Sequence, residues 1–183
     1  MPLRVFGYDG AAYRAQLLND ETSKDTENKT VRYPVVTLVL YFGFKKHWDK
    51  PLTLLECLEV PEELKPFLND YRMNLFEIAY LTDEQVNSFQ SDFRFVADYF
   101  VQMQRNRDYV APDATIRHVH EFLQLMAAMT GDHRYEEAYS PEMERRQISM
   151  CEVLDRGKLF ILAVSFPSFL TPILIPISRR LIP

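Results

Sequence analysis

Two histidines and a glutamate stand together in His118-Val119-His120-Glu121 and raise the question of a metal site. The apolar spacing around them predicts a helix, and side chains two residues apart on a helix point in nearly opposite directions. The two imidazoles therefore do not converge on one ion, as a zinc site would require. We interpret both as surface histidines and predict no metal site in the chain.

A basic stretch with one aromatic residue, Lys45-Lys46-His47-Trp48, could support a second kind of chemistry. Lysine ammonium groups contact a nucleic-acid backbone, and an indole ring stacks on a base. Lys45, Lys46 and Trp48 are therefore candidate nucleic-acid contacts. The alternative interpretation is an ordinary basic loop with one aromatic residue, which is common on protein surfaces.

The remaining reactive residues give weaker signals. The chain has two cysteines, Cys57 and Cys151, which is too few for a disulfide framework and typical of a reducing cytosol. Cys151 lies on the apolar side of its predicted helix and reads as a small core residue. Five glycines are too few for a phosphate-binding loop. The N-terminus has no secretory pattern, so we expect a cytoplasmic protein.

Length and charge limit the classes of protein that remain. With 183 residues and 47% hydrophobic content, the chain can form one domain with a substantial core. A formal net charge of −5 argues against a general nucleic-acid coat protein, which carries a basic stripe. It does not argue against a metal-dependent nuclease, because the active site of such an enzyme is itself acidic.

The central element that must position any site is the apolar run Tyr33–Gly43. Its length and its β-branched and aromatic residues predict a strand that is buried on both faces. A helix is predicted over Leu3–Leu18, followed by a polar mobile loop over Asn19–Arg32. Further on, Pro51–Leu58 predicts a short helix and Met73–Leu81 a second buried strand.

The second half of the chain reads as helical. Thr82 and Gln85 form a capping box, and the apolar stripe behind it predicts one helix that runs to Met103. Another helix is predicted from about Asp113 to Met129, stopped by Gly131. Ser140-Pro141 opens a last helix that carries Met143, Ile148, Cys151 and Leu154.

The composition changes at Leu159. Residues 159–177 contain no charged side chain, and the length is marginal for a membrane span. Pro167, Pro172 and Pro176 disfavour a helix there. Three interpretations stay open: a membrane anchor, an apolar extension of the fold, or a non-native end from a shifted reading frame, which we prefer.

Several sequence blocks, taken in order over residues 1–155, resemble one family. The blocks are Met1–Val5 with Tyr8–Leu17, Tyr33–Gly43, Asn74–Ala79, Ser91–Arg94 with Val96–Phe100, and Met150–Asp155. Together they are similar to the recombination-promoting nuclease (Rpn) or putative transposase family, a branch of the PD-(D/E)XK nuclease superfamily. The resemblance implies an α/β fold with a restriction-endonuclease-like core, in which helices flank a central sheet, and DNA as the partner.

The resemblance also implies Mg²⁺ as the cofactor of the full-length family, held by an Asp and a Glu-x-Gln or Glu-x-Lys motif. In the family these elements precede the helix that corresponds to Leu3–Leu18, so we expect an N-terminally truncated copy that binds no metal. Asp70 with Glu77-Ile78-Ala79 is a poor substitute, because no Lys or Gln follows Glu77 by two residues. We interpret Glu77 as a paired structural carboxylate.

Asp9, Tyr13 and Gln16 lie on one face of the first predicted helix, at the spacing i, i+4 and i+7. By the same resemblance, Arg4, Tyr13 and Gln16 match polar residues that flank the active site on this helix. The alternative is an ordinary solvated face, with Tyr13 packed against the sheet. We expect a partial nuclease core over 1–81, a helical half of the same domain over 82–155 and a divergent apolar tail over 156–183.

The leading hypothesis is a DNA endonuclease or transposase-family protein associated with recombination, weakly active or inactive as this chain. The alternatives are a non-enzymatic interaction module of a mobile-element protein and a tail-anchored membrane protein. A homo-oligomer is left open.

Overall fold

Residues 1–22, 32–146, 148–156 and 173–177 are described by a computed structural model of the chain. They divide into two compact units. Of the described residues, the first unit contains 1–22, 32–40, 49–76 and 173–177, and the second contains 41–48, 77–146 and 148–156.

Helix α1 of the first unit spans Pro2–Thr22 and is longer than the sequence pattern predicts. Its buried face carries Val5 and Asp9, which are 0% and 7% exposed. Tyr8 and Ala15, by contrast, are exposed. The helix instead turns part of its polar stripe inward, since the carboxylate of Asp9 finds hydroxyl donors there.

Strand β1, Val36–Tyr41, lies in the middle of a three-stranded sheet of order β2-β1-β5. Thr37 and Val39 are buried, whereas Val36 is 38% exposed and Leu38 is half-buried. The prediction of a strand buried on both faces is therefore wrong for the start of β1, at Val36 and Leu38. Successive side chains point to opposite faces, and the face of Val36 and Leu38 is covered less completely.

Strand β2 covers Asn74–Glu77 and ends earlier than predicted. Ile78–Tyr80 form a 3₁₀ turn, in which the consecutive residues Ile78 and Ala79 are both buried. Two neighbouring buried residues fit a tight turn better than the alternation of a half-covered strand. The predicted helix over Pro51–Leu58 is likewise a 3₁₀ turn, limited to Leu55–Cys57, and a second 3₁₀ segment covers Glu62–Phe67.

Strand β5, Ile173–Ile177, pairs antiparallel with β1, with Thr37 opposite Pro176 and Val39 opposite Leu174. This part of the apolar tail belongs to the sheet of the first unit, as the interpretation of an apolar extension expects. The rest of the predicted tail lies outside the described residues. Within the residues that are described, no helix is both long enough and apolar enough to cross a bilayer.

The second unit is mostly helical and contains a small antiparallel sheet of two short strands. Its elements are α2 (Asp83–Ser88), α3 (Phe93–Asn106), β3 (Thr115–Ile116), α4 (Val119–Thr130), α5 (Arg134–Glu137), α6 (Pro141–Arg145), β4 (Ile148–Ser149) and α7 (Met150–Arg156). The core lies along α3, where Tyr99, Phe100 and Met103 are buried, and the ring of Phe42 meets that of Phe100 edge-on at 5.0 Å.

In the second unit, the start and stop signals predicted for the helices are confirmed, but the helices themselves are shorter than predicted. The capping box of Thr82 and Gln85, the left-handed Gly131 and the cap of Ser140 are all present. The single helix predicted behind Thr82 is two helices, because the chain leaves the helical path after Ser88 and starts a new turn at Ser91. The two other predicted helices are shorter, because Thr115–Ile116 and Ile148–Ser149 form the strands β3 and β4 instead.

Candidate functional site

The buried carboxylate of Asp9 is the centre of a polar cluster in the first unit. Its Oδ1 accepts a hydrogen bond from the hydroxyl of Thr37, and its Oδ2 accepts one from the phenol of Tyr71 at 2.5 Å. Burial and this contact with Asp9 raise the pKa of Tyr71 well above its usual value. The ring of Phe6 packs edge-on against Tyr71, with 5.5 Å between the ring centroids. The cluster therefore connects α1, β1 and the segment before β2.

The predicted site residues Tyr13 and Gln16 attach α1 to the segment that leads into β1. The side-chain amide of Gln16 donates to the carbonyl of Tyr33 at 3.0 Å and accepts its N–H at 2.8 Å. The hydroxyl of Tyr13 accepts the N–H of Val35 at 3.0 Å. Arg4 is exposed and donates to the hydroxyl of Tyr8 at 3.2 Å. The contacts of Tyr13 and Gln16 position the backbone that leads into β1. A role of Arg4, Tyr13 and Gln16 beside an active site stays a proposal.

Asp9 is the residue that sequence reasoning placed on this polar stripe without giving it a role. The signal was its spacing with Tyr13 and Gln16 at i, i+4 and i+7 along one helix. Neither donor could be found from the sequence, because Thr37 and Tyr71 lie 28 and 62 residues away along the chain.

The second unit holds the basic stretch between β1 and Trp48. Lys45 and Lys46 are exposed, as surface contacts for a nucleic acid would be. Trp48 is half-buried and meets the ring of Tyr41 edge-on at 5.3 Å. A side chain at Gly43 would have its Cβ 2.1 Å from the Tyr41 hydroxyl, so the close packing of this ring requires glycine there.

His47 forms a pair with Glu77 beside these lysines. Its Nδ1 lies 3.2 Å from both carboxylate oxygens of Glu77, and the N–H of Trp48 donates to the same carboxylate at 2.7 Å. The imidazole stacks on Tyr80 at 3.7 Å, and its side chain is 68% exposed. The pairing predicted for Glu77 is confirmed. An oriented, exposed imidazole can contact a phosphate, and the sequence analysis assigns His47 no role.

Another polar surface of the second unit is a pocket of about 340 Å³ at the start of α3. Arg94, Arg117 and Asp92 lie in its wall. The Asp92 carboxylate accepts the N–H groups of Arg117 and His118 at 3.0 and 2.7 Å. It therefore serves to hold the start of α4, and the two arginines give the wall a basic character.

The remaining candidates from the sequence, His118, His120 and Cys151, each contact a different residue. His118 is exposed and pairs with Asp92 at 3.1 Å, whereas His120 stacks on Tyr139 at 4.4 Å. The two imidazoles therefore contact different residues, one on Asp92 and the other on Tyr139. Cys151 is partly exposed, and its thiol contacts the carbonyl of Ala111 at 3.4 Å, so the prediction of a core residue holds in part.

The carboxylates weighed as a substitute metal site, Asp70 and Glu77, and the buried Asp9 all accept hydrogen bonds from the chain itself. Asp9 accepts two hydroxyls, Glu77 accepts the N–H of Trp48 beside His47, and Asp70 accepts the N–H of Leu55 at 3.0 Å. That last bond is the main cause of a lowered pKa at Asp70. No three acidic, histidine or cysteine side chains gather into a ligand set within the described part of the chain. These residues do not fit a Mg²⁺ site.

A family model described as "Putative transposase, YhgA-like" matches residues 1–131. The chain belongs to this family. The match runs from α1 to the Gly131 cap of α4, and it includes the Asp9 cluster and the basic stretch Lys45–Trp48. Residues after Gly131 lie outside it. Searches of curated proteins and of solved structures gave no match.

Proposed function

We propose that this transposase-family chain acts on DNA as part of a metal-dependent endonuclease of the PD-(D/E)XK type, associated with recombination. The family match over residues 1–131 supports a transposase-like protein. The mixed α/β arrangement, in which Asp9 of α1 accepts a hydrogen bond from Thr37 of the central strand β1, is compatible with a nuclease core. In this proposal Mg²⁺ would supply the activated water, and Arg4 would lie beside the substrate phosphates.

The same proposal holds that the chain on its own cleaves DNA weakly or not at all. The observation that carries it is the use of the acidic side chains. Both carboxylate oxygens of Asp9 and of Glu77 contact hydrogen-bonding groups of the chain, and one oxygen of Asp70 accepts an N–H, so a cation bound through these residues would compete with existing contacts. Metal ligands would have to come from elsewhere than these three residues.

DNA contact is proposed for the surface formed by Lys45, Lys46 and His47. The three side chains are exposed on one short stretch, and Glu77 orients the imidazole. Trp48 contributes less by stacking than the sequence suggests, because its ring already packs on Tyr41. The surface thus acts mainly through charge, and its contribution is expected to weaken as salt rises.

The test is a fluorescence-anisotropy titration of a short DNA duplex at several salt concentrations. If Lys45 and Lys46 each neutralise a phosphate, the double variant K45A/K46A lowers the slope of log K against log salt by about 2. Lys65→Ala is the matched control, since Lys65 is an exposed lysine already paired with Glu62. Unchanged binding in K45A/K46A would contradict this DNA surface, and no binding by the unaltered chain would favour the interaction module.

A further inference from the structure

The exposed side of α1 carries large apolar residues that the rest of the described chain covers only in part. Leu3, Phe6, Tyr13 and Leu17 are 51%, 49%, 45% and 46% exposed. Exposed apolar residues that stand singly are ordinary, but a contiguous row of them on one helix marks an interaction surface.

These residues repeat at alternating steps of three and four, with Gly10 at the middle position. The steps from Leu3 through Phe6, Gly10 and Tyr13 to Leu17 are those of a helix-pairing seam. The buried side of α1, with Val5 and Asp9, is a separate stripe of the same helix. Helix α1 therefore has one buried face and, beside it, a row of half-exposed apolar residues.

The pattern is symmetric about Gly10, and this symmetry identifies the partner as a second copy. Leu3 and Leu17 stand seven residues to either side, and the aromatic rings of Phe6 and Tyr13 stand four and three residues away. In a two-fold dimer, a residue i that contacts j on the partner is matched by j contacting i. An antiparallel pair of α1 helices crossing at Gly10 would set leucine on leucine and aromatic on aromatic.

The surroundings of Gly10 permit such a crossing. A Cβ built at Gly10 meets no atom within 4 Å, so its surface is open to solvent in the single chain. A residue without a side chain lets two helix backbones approach closely and lets the larger residues on either side interdigitate. Glycine inside a helix is otherwise unfavourable, so its place in the middle of the stripe calls for a reason.

We infer that α1 is the interface of an antiparallel homodimer with its two-fold axis at Gly10. A fully buried Phe or Tyr covers about 150–250 Å², so four half-exposed side chains provide on the order of 400 Å² per copy. A standard interface buries about 800 Å² per partner. The dimer is therefore weak and forms in a concentration-dependent way.

The first test is sedimentation velocity over a concentration series from low to high micromolar. The unaltered chain shows a sedimentation coefficient that rises with concentration. Gly10→Gln places a long side chain at the crossing and abolishes this rise. Ala15→Gln adds the same side chain at an exposed position on the opposite side of α1 and leaves the rise unchanged.

Neither substitution removes a buried group, and circular dichroism verifies that both variants keep the helix content of the unaltered chain. A constant monomer mass of the unaltered chain at all concentrations would overturn the dimer. So would a Gly10→Gln variant that associates as the unaltered chain does.

Cross-linking tests the orientation of the helices. In an antiparallel pair centred on Gly10, a Gly10→Cys variant has its two new thiols beside the axis and forms a disulfide-linked dimer under mild oxidation. Two copies of residue 17 are separated by about 21 Å along the helix, so Leu17→Cys does not form one beyond the background of Cys57 and Cys151. Cross-linking at residue 17 and none at residue 10 would overturn the antiparallel arrangement.

Discussion

Asp9 is stabilised in the interior of the first unit by two hydroxyl donors, Thr37 and Tyr71. A buried carboxylate without such donors would be strongly unfavourable. Each donor comes from a different segment, so the acid joins a helix, a strand and a loop at one point. Its contribution is structural, and it removes Asp9 from the residues that could serve a metal.

Replacing Asp9 tests this role directly. Asp9→Ala leaves two hydroxyls without their acceptor and is expected to lower the free energy of unfolding by about 2–4 kcal/mol. Thr37→Val removes only one of the two donors, so the free energy of unfolding is expected to fall by about 1 kcal/mol less than in Asp9→Ala. Urea denaturation measures both, with the exposed Glu63→Ala as a control that changes stability by less than about 0.5 kcal/mol. An Asp9→Ala variant as stable as the control would contradict the cluster.

Buried tyrosines predict how stability depends on pH in the alkaline range. Burial raises the pKa of Tyr99 from 10.0 to about 12, and the nearby charge of Asp132 adds to the shift. The unfolded chain therefore loses this proton near pH 10 while the folded chain still holds it. The free energy of unfolding falls as pH rises from about 10 to about 12.

The corresponding variant is Tyr99→Phe, which removes the titrating group from a residue that is 1% exposed. Its stability is expected to decrease less than that of the unaltered chain between pH 9 and pH 11, as measured by urea denaturation at each pH. Tyr8→Phe, at an exposed position of α1, should follow the unaltered chain. Identical pH profiles for all three proteins would contradict the assignment to Tyr99.

At the level of elements, some boundaries are determined by neighbouring residues and others by contacts with distant parts of the chain. The capping box at Thr82 and the left-handed turn at Gly131 depend on a few adjacent residues, and both were predicted from the sequence. The end of β2 and the break between α2 and α3 depend on packing against distant segments, and both were missed.

The same distinction explains which site residues could be found. The spacing of Asp9, Tyr13 and Gln16 was visible in the sequence, but the direction of the stripe was not, because hydroxyl and backbone partners from other segments turn it inward. His47 was visible beside two lysines, but its pairing with Glu77 needed the fold. Sequence patterns indicate which residues share a face, and tertiary contacts decide which face is covered.

The pairing of β5 with β1 gives a prediction for the apolar C-terminal segment. Removing residues 172–183 turns β1 into an edge strand, so the backbone amides of Val36–Leu40 should exchange hydrogen for deuterium faster than in the full chain. The amides of Thr115 and Ile116, which pair with β4 in the other unit, serve as the internal control. Unchanged protection of β1 would show that the tail does not act as a strand of this sheet.

At the scale of the whole molecule, the chain combines family membership with acidic residues that serve its own fold. The match to a transposase family covers residues 1–131, and the carboxylates of Asp9, Asp70 and Glu77 all accept hydrogen bonds from the chain itself. We propose that such a chain contacts DNA through Lys45 and Lys46 and pairs with a second copy through α1. Hydrolysis of DNA would need metal ligands beyond Asp9, Asp70 and Glu77.

The most direct measurement is cleavage of supercoiled plasmid by the purified chain in the presence of Mg²⁺. Nicked and linear products are quantified over time, with EDTA and the double variant D70N/E77Q as controls. Asp9 is left unchanged because its replacement destabilises the fold. We predict product formation close to the protein-free background, with or without the two substitutions. Robust cleavage that EDTA abolishes would contradict this prediction, and its loss in a folded double variant would assign the metal site to Asp70 or Glu77.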